Sequence, residues 1–87
     1  MPKQIPLDKL QERARQMTRL ELMKFVIPDE LQTNLTLGVQ FDGDFRIFEL
    51  YVPGERPSDA RVVSRARLNI YSGEGQVQVE GLVKKEL

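Results

Sequence analysis

The chain has no cysteine, no histidine and no tryptophan. It therefore lacks the thiolate nucleophile, the commonest general base and the usual ligands of zinc. No disulfide can brace its 87 residues, and a chain this short buries only about 60–65% of its unfolded surface, so its core is thin. No apolar run approaches the ~20 residues that cross a bilayer, and Met1-Pro2-Lys3-Gln4 leads into no apolar secretion segment. The composition thus reads as a cytoplasmic protein with no metal, no cofactor and no place in a membrane. An excess of either charge is also missing. Thirteen basic and thirteen acidic side chains cancel, leaving no field that would gather a polyanion.

What is present divides into one helical stretch and four extended ones, read as a single domain over residues 1–87. A helix is expected over about 8–24. Asp8 is placed to cap its first free N–H groups, with Gln11 closing a capping box. Leu10, Ala14, Met17 and Leu20 then draw an apolar stripe, with Glu12, Arg15 and Arg19 on the far side. The β-branched pair Val26-Ile27 and Pro28 stop it.

The period changes to two for strands at about 33–41 and 44–52, where Leu35, Leu37, Val39 and Phe41 alternate with polar residues. Asp42-Gly43 is the expected hairpin turn, setting Leu35 against Leu50 and Leu37 against Phe48. Pro53-Gly54-Glu55-Arg56-Pro57-Ser58-Asp59 reads as a loop. Strands at about 61–72 and 75–83 follow, joined by Ser72-Gly73-Glu74-Gly75, a turn that sets Ile70 against Val77, Leu68 against Val79 and Arg67 against Glu80. Lys84-Lys85-Glu86-Leu87 reads as a frayed tail. Helix, hairpin, hairpin without βα alternation predicts an α+β fold: one N-terminal helix packed on a four-stranded antiparallel sheet, an α-β-β-β-β meander.

Motifs for chemistry are sparse. Gly73-Glu74-Gly75 has neither the spacing of a phosphate loop nor a following helix. Asp42 and Asp44 flank a glycine at a hairpin tip, where carboxylates are solvated. Ser58, Ser64 and Ser72 have no histidine to activate them. The chain is accordingly read as a non-enzyme.

Two surfaces remain. Four strands at about 4.8 Å spacing make a sheet roughly 19 Å wide, whereas a helix with its side chains is about 10 Å across. The inner face assigned to Leu35, Leu37, Phe48, Leu50, Val52, Leu68, Ile70, Val77 and Val79 exceeds what one helix seals. Sheet curling, the 25–27 segment, a second copy or a foreign partner must close the gap. The outer face gathers Phe45, Ile47, Tyr51, Arg65, Arg67, Asn69 and Tyr71, the arginine-and-aromatic composition of protein-binding hot spots. The alternative is a local cluster in which Phe45 and Ile47 pack on the arginine stems. Phe45, Arg65, Arg67 and Tyr71 also allow a stacking platform for single-stranded nucleic acid, against which Glu49 and Glu80 on the same face would act.

The loop Pro53-Gly54-Glu55-Arg56-Pro57 and the segment Val63-Ser64-Arg65-Ala66-Arg67-Leu68-Asn69-Ile70-Tyr71-Ser72-Gly73 resemble parts of small bacterial immunity proteins that accompany polymorphic or contact-dependent toxins. The resemblance covers under half the chain and carries no residue roles. It implies a protein that neutralises one toxin domain by sheathing its active site. The sequence-level expectation is an immunity-type protein-binding module acting through the outer face. A structural or regulatory homodimer and a single-stranded nucleic-acid binder stand as alternatives.

Overall fold

The structure, a computed structural model, describes residues 3–86. Pro6 opens the helix. Its extended backbone (ψ 146°) leads into α1 (Leu7–Leu22), and its carbonyl accepts the N–H groups of Lys9 and Leu10. No side chain caps this end. Asp8, the expected cap, instead lies within the first turn, where its charge still meets the positive end of the helix dipole. The far end stops at Leu22 rather than near Lys24, because β1 (Phe25–Val26) is drawn into antiparallel pairing with β6 (Val83–Lys84). Lys85 N–H also bonds the Lys24 carbonyl. The predicted frayed tail is thus a structural element up to that point; Leu87 lies outside the described residues.

The buried stripe of α1 is Leu10, Ala14, Thr18 and Leu22, with Met17 packed beside it. Leu20, expected on that stripe, is 66% exposed. A strict i, i+4, i+8, i+12 row advances about 40° per step and leaves Leu20 well off its centre. A threonine occupying a buried turn is what the apolar count passes over.

After the short α2 (Asp29–Gln32) come β2 (Thr36–Asp42), β3 (Phe45–Val52), a 3-10 turn (Pro57–Asp59) within the expected loop, β4 (Arg61–Asn69) and β5 (Gly75–Val79). The sheet order is β2-β3-β4-β5, all antiparallel. The fold is therefore the expected α+β arrangement of an N-terminal helix on a four-stranded antiparallel meander.

Both hairpin registers differ from expectation by an even number of residues, so the strands keep their faces, β4 from Ser64 onward. Gly43 (φ +58°) is the first central residue of the first turn and Asp44 the second, which pairs Leu37 with Leu50 and Val39 with Phe48. Positive φ at the first position alone is the II′ pattern, whereas the expected turn had Gly43 second. The second hairpin closes lower. Leu68 pairs with Gly75, Ala66 with Val77 and Arg67 with Gln76, because Asn69 ends β4 by turning the chain. Its carboxamide oxygen accepts the N–H groups of Tyr71 and Ser72, and its backbone exchanges with Glu74 and Gly73. Gly81 (φ +69°) ends the expected 75–83 strand early. A bulge at Val63, between the partners of Leu50 and Tyr51, turns that valine inward to 1% exposure.

The core joins Leu10 and Ala14 of α1 to Phe48, Ala66, Leu68 and Ile70, with Ile5 and Val77 at its edge. α1 lies against β4 and β5, touches β3 more lightly and makes no substantial contact with β2. The helix sits to one side of the sheet. Half of the inner face is sealed, and the β2 half is open.

Candidate functional site

Alternation along β3 and β4 sends Phe45, Ile47, Arg65, Arg67 and Asn69 to the outer face, where they line one shallow depression. The guanidinium carbon of Arg67 stands 3.6 Å from the centroid of the Phe45 ring, and one of its nitrogens is 3.9 Å from Asp42. Arg65 is held on both sides. Its Nε donates to Glu49 Oε2 at 2.9 Å and its Nη1 to Glu80 Oε1. The Gln40 side-chain amide donates to the other oxygen of Glu49. The predicted contact of Glu80 with Arg67 is thus made with Arg65, two residues back, because the hairpin closes four residues out of the expected register.

Two of the sequence-predicted site residues lie apart. Tyr51 is on the same face but beyond Glu49, folded across Gly38; a Cβ at Gly38 would stand 3.2 Å from the tyrosine ring. Tyr71 is past the end of β4 in the turn and does not line the depression. Asn69 lines it, while its carboxamide oxygen is occupied by the turn. The outer face is therefore a ladder of internally matched charges rather than an open basic platform.

The inner face presents a different surface. Between α1 and the exposed side of β2 and β3 runs a groove of about 670 Å³, with Leu37, Phe48 and Leu50 on its floor and Ala14, Thr18 and Leu22 on one wall. Phe25, Val26 and Ile27 close one end, which is the contribution of the 25–27 segment to covering the sheet. Its charged lining residues are Arg15, Arg19 and Lys85. None of the three forms an ion pair among the described residues. Beside the groove, Leu37 and Val39 are each 38% exposed and Phe41 is 69% exposed. Arg46, opposite Phe41, lays its guanidinium 4.4 Å from that ring's centroid.

Sequence reasoning placed Ala14 and the 25–27 segment but missed the groove's charged lining. Arg15 and Arg19 read as the solvated side of a helix, and Lys85 as tail. The signal that was available is the width of the sheet against the single helix. For chemistry, Ser64 Oγ is buried with no hydrogen-bond partner, and no activating base reaches it. Among the described residues no group of histidine, cysteine or carboxylate side chains is placed to hold a metal, and no helix is long and apolar enough to cross a membrane. Comparison of the chain with protein-family models, with curated proteins and with solved structures found no match.

Proposed function

We propose that the protein is a non-enzymatic protein-binding module, and that an apolar segment of its partner lies in the groove between α1 and β2. The single observation that carries this reading is the uncovered half of the inner sheet face. Leu37, Val39 and Phe41 stand exposed there, while the other half of the same face forms the core. Contiguous apolar area on an otherwise polar chain marks an interaction site. The gap beside α1 is about one helix wide, since a roughly 19 Å sheet accommodates two rods of about 10 Å. Arg15, Arg19 and Lys85 are its charged lining residues, so the fitting partner segment is apolar on one side and carries carboxylates where it meets them.

In the concrete form that the immunity-protein resemblance implies, this partner is a bacterial toxin domain, neutralised by direct contact. The outer face supports the role less well. Arg65 already answers two carboxylates, and matched charges of this kind also weaken the attraction for nucleic-acid phosphates.

Affinity capture from the source cells with Leu37→Lys and Ile47→Lys variants tests the reading. Leu37→Lys is expected to abolish capture of a partner that the parent chain retains, and Ile47→Lys to preserve it. Loss with Ile47→Lys alone moves the contact to the outer face, and capture unchanged by both overturns the groove assignment.

A further inference from the structure

β2 is an edge strand, and among the described residues β3 is the only element in substantial contact with it. Asp42 and Phe45 close a two-residue turn, so they form a hydrogen-bonded pair. Alternation then directs the backbone groups of Gln40, Gly38 and Thr36 to β3, and those of Phe41, Val39 and Leu37 to the free edge. No backbone hydrogen bond from another element reaches these three among the described residues. The residues whose N–H and C=O groups are unpaired are therefore the same ones whose apolar side chains stand exposed on the inner face.

Edge strands are ordinarily blunted by lysine, proline or a bulge. β2 has none of these; its one charged residue, Asp42, sits at the end of the strand. The other edge, β5, is shorter, at five residues against seven, and α1 packs on it.

We propose that two copies of the chain associate by antiparallel pairing of β2 with β2 about a two-fold axis at Val39, joining two four-stranded sheets into one. The occupant is a second copy because the strand is complementary to itself. Val39 is both the middle of Thr36–Asp42 and a residue whose backbone faces the edge, so an axis there pairs the strand over its full length. On the inner face Val39 meets Val39 and Leu37 meets Phe41. On the outer face Gly38 meets Gln40 and Thr36 meets Asp42, so no like charges are opposed. Isologous pairing of this kind closes at two copies. The inference stands on the strand edge and does not require a partner in the groove.

Cysteine substitution tests the register, because the chain has no cysteine of its own. A residue on the axis faces its own copy at a Cα separation of about 5.5 Å, within disulfide range. V39C alone is expected to oxidise to a covalent dimer. L37C and F41C are each expected to form no covalent dimer alone and to cross-link when mixed, since identical positions there lie about 13 Å apart along the strand. Q76C, exposed on β5, is the collision control. Sedimentation of the parent chain at micromolar concentration is expected to give a dimer. A parent chain that sediments as a monomer, or V39C that cross-links no faster than Q76C, overturns the proposal.

Discussion

Glu49 lies beneath Arg65: its side chain is 11% exposed, and the guanidinium that caps it donates at 2.9 Å while reaching Glu80 with its other arm. The two acidic partners differ in burial. Glu80 is nearly half exposed and contributes as a surface ion pair, whereas Glu49 depends on Arg65 and Gln40 for its hydrogen bonds.

This asymmetry orders the effects of truncation. Arg65→Ala strands the buried carboxylate and is expected to cost about 2 kcal/mol. Glu80→Ala is expected to cost under about 1 kcal/mol. Urea denaturation of the two variants checks the order, and equal losses would mean that Glu49 is better solvated than its burial indicates.

Gly75 tests the register of the second hairpin. A Cβ there would stand 2.0 Å from the carbonyl oxygen of Arg67, an impossible approach. Gly75→Ala is expected to lose about 3 kcal/mol or more, or to fail to fold. Were Gly75 an unobstructed turn residue, as the sequence reading has it, the substitution would be neutral or stabilise by up to about 1 kcal/mol, since its φ is not among the positive ones.

The helix face is tested by a pair of leucines. Leu10→Ala should cost about 2–5 kcal/mol, as for other buried leucines. Leu20→Ala should change stability by less than about 0.5 kcal/mol. Thermal or denaturant melts separate these values easily, and the reverse order would restore the stripe read from the sequence.

Ser64 offers a substitution with the opposite sign. Its hydroxyl is buried opposite Leu50 and Val79 without a partner, so Ser64→Ala removes an unmet polar group. Stability should hold or rise by up to about 1 kcal/mol. A clear loss would reveal a hydrogen bond to Oγ that the geometry does not provide.

These residues also mark where the sequence was legible. Strand faces were, because binary alternation survives a register error of two or four residues: Phe48 and Leu68 point inward under either pairing, and Phe45 and Arg67 outward. Registers were not, since they depend on whether Gly43 is the first or second turn residue and on the carboxamide of Asn69 ending β4. Tyr71 left the predicted site for that reason. The bulge at Val63 has no signature, because consecutive valines alternate in either phase. Thr18 was hidden because an apolar count passes over a threonine, and the 83–84 strand because its pairing with Phe25–Val26 is something a two-residue strand cannot announce by periodicity. The width mismatch between sheet and helix needed no register at all. It announced that about half of the inner face would be left open, without saying which half and without its charged lining.

The central claim is that the β2 half of the inner face meets a partner. A photo-cross-linkable residue placed at position 37 or at position 47 in the living source cell reads this directly. The account predicts one discrete heterologous adduct from position 37 and none from position 47. Adducts from position 47 alone, or none heavier than the chain's own dimer from position 37, would contradict it.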